Sequence, residues 1–375
     1  MSNRIEAFLN LYSSYKTKST YRWILQSYFK FIFGEGKLED QGERYFSETR
    51  NYEEDIEKFF QSINGKPPKT VKLMISTVKT FLIENSVDLH DRFWKRLGKR
   101  VKGSRALILD KVPNNAELKQ ILSHTNIQGK TLFTILASSG MRIGECLKLK
   151  SSDLEDGDPY RIKIRGEYTK SGNSRITFIS KEVVLFLNEW LKVRKDYIKG
   201  AIGKSHLFAK GEDDGRIFPF EMNNAYAIWK NALSKAGFLE RDSSTNRITV
   251  HPHVLRKFFR TRLGAVIPVD IVETLMGHEG YLTEVYRRYS FEDLGKFYQQ
   301  GEHALLIFGS GEDVSKLREE ISQKNKELQN LVNSLATENI TLRNRMDLLE
   351  KEISSIEQTV KDIQTLVKQR RLEIN

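Results

Sequence analysis

The sequence predicts a mainly α-helical protein in three parts. These are an all-helical domain over residues 1–103, a mixed but mainly helical domain over 112–308 with a small antiparallel sheet, and a coiled coil over 312–368. Three observations predict it. Apolar residues recur at helical spacing through most of the first two parts. Two short alternating runs flank a single polar turn. The last part carries a 3-4 heptad. At 375 residues the chain exceeds one ordinary domain.

In the first part, helices are expected over Ile5–Tyr15, Thr20–Phe33, Tyr52–Ile63 and Lys69–Asn85. Ser19 or Thr20 supplies a cap for the second, and Pro67-Pro68 breaks the chain before the fourth. Basic and aromatic residues interleave at Lys16, Lys18, Tyr21, Arg22, Trp23 and Lys30. The rings read as core, and Lys16, Lys18 and Arg22 remain to meet phosphates. The glycine-bounded basic run Lys95–Arg105 is the expected interdomain linker. Its candidates for contact with an anionic backbone are Lys99, Arg100 and Lys102, because clustered like charges are relieved by a polyanion.

The second part opens with helices expected at Asn115–Thr125, Gly129–Ser139 and Ile143–Leu149. Strands follow at Tyr160–Arg165 and Arg175–Ile179, around a turn at Tyr168–Ser174. The alternation Arg161-Ile162-Lys163-Ile164-Arg165 suits a half-exposed strand, and Ser171-Gly172-Asn173-Ser174 suits a turn. Helices return at Lys181–Lys195 and Glu221–Ala236. Strands do not alternate with helices, which argues against a parallel, doubly wound sheet.

Between Val314 and Val367 there is no proline, no aromatic residue and one alanine. Val314, Leu317, Ile321, Leu328, Leu331 and Leu335 keep heptad spacing, with Lys324 interrupting. Met346, Leu349, Ile353, Ile356, Val360, Ile363 and Val367 resume it after a stutter near Asn339. Such a helix would be a rod of about 80 Å. Gly309-Ser310-Gly311 reads as its hinge.

The net charge is +12, and its distribution is informative. From Glu312 onward there are 11 basic and 12 acidic residues, so the remainder of the chain carries +13. A polyanionic partner is therefore expected of the first two parts. No apolar run is long enough to span a bilayer, and the N-terminus lacks a secretory pattern, so a cytoplasmic protein is expected. The lone cysteine, Cys146, reads as a small core residue. There is no carboxylate cluster for Mg²⁺ and no His-Glu-x-x-His, and Gly129-Lys130-Thr131 lacks the upstream glycine of a phosphate-binding loop. Neither metal nor cofactor is expected.

Two separated stretches carry the chemistry. One is Ser138-Ser139-Gly140-Met141-Arg142-Ile143-Gly144-Glu145; the other is His253-Val254-Leu255-Arg256, followed by Gly277-His278 and Tyr286. Arginine clamps phosphate through a planar fork of donors and stays charged. Histidine exchanges a proton near neutral pH, and a tyrosine hydroxyl can attack phosphorus. Arg142, expected at the head of a helix, would offer its guanidinium together with backbone N–H groups. Glu145, one turn on, would brace an arginine from behind. His251 rivals His253, but only His253 stands three residues before Arg256.

This order of residues resembles the tyrosine recombinase (phage integrase) family, in an archaeal-type variant, over about residues 1–300. The surroundings Gly140–Glu145 and Leu275-Met276-Gly277-His278 match as well. The resemblance implies a helical SAM-like core-binding domain before a catalytic domain, closing as a C-shaped clamp on double-stranded DNA. It makes Arg142 and Arg256 the phosphate clamps, with His253 and His278 beside them. Lys170, at the hairpin tip, would be the proton donor to the leaving 5′ oxygen, a role for which Lys163, Arg165 and Arg175 compete. The family's usual interval from the last histidine to the nucleophile is one residue longer than the eight separating His278 from Tyr286. Tyr286 is the preferred nucleophile and Tyr289 the alternative; Tyr281 is too near. The segment after the tyrosine, here Phe291–Phe308, carries contacts between subunits in relatives.

The expected activity is DNA strand exchange through a 3′-phosphotyrosyl link, in a tetrameric synapse built from dimers, with the coiled coil as a further device for self-association. A mobile element is the preferred setting and the nucleoid the expected location. A chromosome-dimer resolvase, a type IB topoisomerase and a non-catalytic DNA-bridging protein are the alternatives.

Overall fold

The computed structural model describes residues 3–101, 103, 110–201, 215–243, 245–278 and 289–309, with isolated positions between 319 and 353. The described residues fall into two compact bodies, one from those before residue 104 with those of 241–247, the other from those of 110–240 and 248–309.

In the first body the described helices are α1 (Arg4–Asn10), α2 (Tyr15–Phe33), α3 (Leu38–Ser47), α4 (Tyr52–Ile63), α5 (Pro68–Glu84) and α6 (Asp91–Arg100). Local chemistry sets their starts. Asn3 accepts from the Glu6 amide at 2.8 Å, and Pro68 occupies the first turn of α5, where its missing N–H costs nothing. The second helix begins at Tyr15, capped by Ser14, rather than at Ser19 or Thr20. The Thr20 hydroxyl instead donates to the Lys16 carbonyl inside the helix at 2.9 Å. Residues 16–19 are polar and add no core position, so the turn is invisible to apolar periodicity although it is helical.

α6 corrects the expected linker. Lys95 to Arg100 are helical, because Phe93 and Leu97, one turn apart, are buried at 3% and 1% exposure. The basic residues form the outer face of that helix, and Lys102 lies outside the described residues. The core is aromatic: Phe8, Tyr28, Phe29, Tyr45, Phe59 and Phe81 meet in edge-on pairs, and the Tyr28 and Tyr45 hydroxyls bond at 2.6 Å.

The second body contains α7 (Asn115–Ser123), α8 (Ile127–Ser139), α9 (Ile143–Cys146), β1 (Leu154–Glu155), β2 (Tyr160–Ile164), β3 (Arg175–Ile179), α10 (Lys181–Ala201), α11 (Met222–Ala236), α12 (Val254–Leu263), α13 (Val269–Met276) and α14 (Phe291–Gly301). The strands pair antiparallel in the order β1-β2-β3, with Ile162 opposite Thr177 and Ile164 opposite Arg175. α8 is the axis of this body: Thr131 through Ser139 are all buried. Its hydroxyls satisfy themselves within that interior; Thr131, for example, donates to the carbonyls of Ile127 and Phe186. Cys146 is fully buried in the same core, where burial pushes its thiol pKa up.

The segment after α14 is stapled to its own domain. Glu182, 2% exposed in the first turn of α10, accepts from the amides of Ile307 (3.2 Å), Phe308 (2.8 Å) and Gly309 (3.3 Å). Glu302 reciprocates by accepting from the Lys181 amide at 2.6 Å, and Asn115 donates to the Leu306 carbonyl at 2.7 Å. Leu294, Tyr298, Leu305, Ile307 and Phe308 are buried in cis. Within the segment expected to carry contacts between subunits, these five apolar side chains complete this domain's own core, whereas Phe291 is 55% exposed.

Of the heptad residues, Leu331, Met346, Leu349 and Ile353 are helical and 50–59% exposed. Val314, Leu317, Ile321, Leu328, Leu335, Ile356, Val360, Ile363 and Val367 lie outside the described residues. Among the described residues, no helix is long and apolar enough to cross a membrane.

Candidate active site

The site forms where three helix ends meet. α8 ends in Ser138-Ser139-Gly140, and each residue has a task. The Ser138 hydroxyl pairs with the Tyr298 hydroxyl at 2.7 Å and accepts from the Ser180 amide at 2.8 Å. The Ser139 carbonyl accepts from Thr177 on β3 at 2.8 Å. Gly140 adopts φ +64° as the C-cap, and a Cβ there would lie 2.3 Å from Cδ1 of Phe259. Only glycine lets the chain turn so close to α12.

Arg142 follows, immediately before the single turn of α9. Glu145 accepts from both the backbone N–H and the guanidinium of Arg142, each at 2.9 Å. The Arg142 N–H, one of the groups expected to face an anion, is thus taken by the helix's own carboxylate. α9 is also one turn long, not the seven residues expected. What faces outward is the Arg142 side chain, 40% exposed.

Glu145 braces two arginines. Besides Arg142 it accepts from Nη2 of Arg175 at 2.6 Å, while Nε of Arg175 donates to the Leu275 carbonyl at 3.2 Å. Arg256, in the first turn of α12 and 3% exposed, donates to the carbonyl of Gly140 and to that of Met276 (2.7 Å). It thus ties the end of α8 to the end of α13. Burial, then repulsion from Arg142 and Arg175, push the Arg256 pKa down to about 10. Burial alone would raise the Glu145 carboxyl, but the hydrogen bonds and charges of Arg175 and Arg142 hold it below the ordinary range.

His253 stands at the head of α12, with burial and the charges of Arg256, His251, Lys257 and Arg142 lowering its pKa. His251 lies nearly parallel to it, centroids 6.2 Å apart, and its Nε2 meets Asp110 at 3.2 Å. His278 follows Gly277, the left-handed C-cap of α13, and its Nδ1 bonds Glu273, which also binds Arg260. Lys170 is exposed on the β2–β3 loop. Tyr286 lies outside the described residues. Tyr289 is described: its hydroxyl donates to Asp270 at 3.0 Å. Asp270 is in the first turn of α13, the end opposite His278, about 12 Å away along the axis.

The structure therefore bonds Arg142 and Arg175 to Glu145 and sets Arg256 within range of their charges, with the two motif histidines beside them. Arg175, weighed in the sequence only as a competitor of Lys170, belongs to that cluster, and Glu273 was missed. A carboxylate five residues before a motif histidine was the available signal for Glu273. Among the described residues, no group of three His, Cys, Asp or Glu could hold a metal ion.

In the first body, Lys16 and Lys99 are exposed, and Lys18 donates to Asn10 at 3.0 Å. Arg22 is paired with Glu6 and Glu39, and Arg100 with Glu57 at 2.6 Å, so both arginines already serve their own domain.

Residues 112–292 match the phage integrase family. The chain is 28% identical over 233 residues to tyrosine recombinase XerA of Saccharolobus solfataricus, spanning 61% of this chain and 66% of that protein. It is 23% identical over 299 residues to tyrosine recombinase XerA of Pyrococcus horikoshii, spanning 76% and 96%. A solved lambda integrase dimer bound to a COC′ core site shares the fold, with a TM-score of 0.50 and 14% identity over 77% of this chain and 98% of that one.

Proposed function

This chain belongs to the phage integrase family, through residues 112–292, and on that premise we propose that it is a site-specific recombinase that cuts and rejoins DNA through a 3′-phosphotyrosyl intermediate. The observation that carries the reading is the charge of the site. Two guanidiniums share one buried carboxylate, and a third, that of Arg256, bonds only neutral carbonyls and holds its proton less tightly than an ordinary arginine, through burial and the charges of the other two. A phosphate placed there supplies the missing negative charge, and the dianionic character that builds in the pentacoordinate transition state supplies more.

In this reading Arg142 and Arg256 grip the non-bridging oxygens, and Glu145 with Arg175 fixes Arg142. His253, its pKa lowered by burial and then by its cationic neighbours, accepts the proton of the attacking hydroxyl. His278, oriented by Glu273, bonds the phosphate. Lys170 protonates the departing 5′ oxygen. Tyr286 is the nucleophile, and the anchoring of Tyr289 on Asp270 supports that choice. The bond energy stays in the protein–DNA ester, and a partner strand's 5′ hydroxyl reverses the step.

Lys16, Lys18, Lys99 and Lys102 contact the DNA backbone; Arg22 and Arg100 act chiefly by holding the domain that presents them. The exposed apolar residues Leu331, Met346, Leu349 and Ile353 support self-association through the heptad, adding to a tetrameric synapse. The domains run over 1–103 and 112–308, with the heptad over 312–368. A mobile element in the cytoplasm, acting at the nucleoid, is the setting that this added oligomerisation device supports.

The test is covalent trapping on nicked DNA carrying the bound site. Wild type and Tyr289→Phe are expected to form the adduct, and Tyr286→Phe to lose it. Loss only in Tyr289→Phe would move the nucleophile. No adduct with wild type on DNA that it binds would end the recombinase reading.

A further inference from the structure

We propose that Asp153 and Thr169 are positioning residues that hold Lys170 in place as the proton donor of strand cleavage, Asp153 by clamping the base of the β2–β3 loop and Thr169 by bracing its interior. The proposal rests on the reading of Lys170 given above.

Asp153 is 0% exposed and closes the short 3-10 turn Ser151–Asp153, which follows closely on α9. Its Oδ1 accepts from Nε of Arg165 at 2.5 Å. Its Oδ2 accepts from the Tyr168 hydroxyl at 3.0 Å and from the Lys150 amide at 2.9 Å. Arg165 is the residue that leaves β2, and it also donates to Ser152 Oγ at 3.0 Å. Tyr168 stands two residues before Lys170. One buried carboxylate therefore holds the loop at two points, on the segment that also carries Arg142 and Glu145.

The loop interior is closed as well. The Thr169 hydroxyl donates to the Gly166 carbonyl at 2.9 Å, lies 3.2 Å from that of Asn173, and accepts from the Gly172 amide at 3.0 Å. The two sides approach so closely that a Cβ on Gly166 would sit 2.1 Å from the Gly172 carbonyl oxygen. A general acid must reach the leaving oxygen within hydrogen-bond distance, and a misplaced donor loses most of its effect. Lysine's flexible four-carbon stem makes a fixed Cα more valuable. The bonds around residues 165–173 supply that fixed point, so the loop is a built support rather than a slack hairpin.

In the step concerned, the tyrosine oxygen–phosphorus bond forms and the phosphorus–O5′ bond breaks. The Lys170 ammonium gives its proton to the departing oxygen, leaving a 5′ hydroxyl. If a sulfur atom replaces that bridging oxygen, a thiolate leaves without a proton donor.

The experiment compares single-turnover adduct formation by the full-length protein on the two substrates. Thr169→Val is expected to slow cleavage of the oxygen substrate roughly 10–10²-fold while leaving the sulfur substrate near the wild-type rate. Asp153→Asn should behave alike, Lys170→Ala should show the same split more strongly, and Thr169→Ser should restore the oxygen rate. Equal slowing of Thr169→Val on both substrates, or no slowing on either, overturns the proposal. If Lys170→Ala is slowed equally on both, the proton-donor reading of Lys170 fails and the proposal falls with it.

Discussion

Arg50, in the first body, and Arg256, in the second, are both enclosed arginines with opposite surroundings. Arg50 bonds Asp55 at 2.8 Å and Glu48 at 2.9 Å, and its guanidinium lies over the rings of Phe33 and Tyr45. Its pKa is raised, first by the hydrogen bond to Asp55. Arg256 bonds neutral carbonyls, faces Arg142 and Arg175, and has its pKa lowered. One cluster is electrically complete without any partner. The other, in the reading proposed above, is completed by a DNA phosphate. That difference separates a structural arginine from one kept for a ligand, where burial and hydrogen-bond counts alone do not.

The contrast can be broken most sharply by deletion. Arg256→Ala is expected to lower the rate of adduct formation by at least about 10²–10³-fold, the scale of losing one donor to a developing oxyanion. Arg50→Ala should leave the rate per folded molecule unchanged and instead cost about 1–3 kcal/mol of stability, because Asp55 loses the guanidinium that holds both its oxygens while Glu48 keeps Arg44. Equal catalytic losses in the two variants, read by single-turnover kinetics beside urea unfolding, would erase the distinction.

A smaller effect is expected from adding one methyl group. Gly140→Ala meets the Phe259 ring as well as a left-handed backbone, and it displaces the carbonyl that holds Arg256. A loss of about 2–4 kcal/mol in denaturant unfolding is expected, with a fall in adduct formation. Gly34, at φ +80° and ψ −155° in the first body, has nothing within 4 Å of the added atom, so Gly34→Ala should cost about 1–3 kcal/mol through backbone strain alone and spare the chemistry.

The smallest effect is a titration. His253 has a folded pKa below the ordinary 6.5, through burial and then the positive charges of Arg256, His251, Lys257 and Arg142. As pH falls through 6.5 the unfolded chain takes up this proton before the folded one, so this histidine's contribution to stability declines until the folded pKa is reached. NMR of the ring protons should place the midpoint below 6.5 in wild type and nearer 6.5 in Arg142→Gln. An unmoved midpoint would mean that Arg142 does not act on His253.

Much of the site was legible because its residues sit at fixed short spacings. His253-x-x-Arg256 occupies the first turn of one helix, and Arg142 and Glu145 span one turn of another, so local geometry brings each pair together. Arg175 meets Glu145 across 30 positions, a pairing that no local pattern carries. Arg22 was read as available for phosphate because its partners Glu6 and Glu39 lie 16 and 17 positions away. α3 and α6 were missed for a related reason: the buried apolar residues are only Leu38 and Tyr45 in one and Phe93 and Leu97 in the other, so the apolar stripe is too thin to show. The small sheet was readable from its turn, whereas β1, two residues long, has no pattern to read.

The triple acceptance by Glu182 has a mechanical meaning. Any pull exerted through residues beyond Gly309 arrives at three amide bonds to one carboxylate, loaded together rather than one after another. Phe308, packed edge-on against Phe186 at 5.3 Å, must leave the core before the strain can pass further. The root of the tail is thus an anchorage. Tension applied there is delivered to the first turn of α10, which packs on α8, the helix that ends at Gly140 and leads into Arg142.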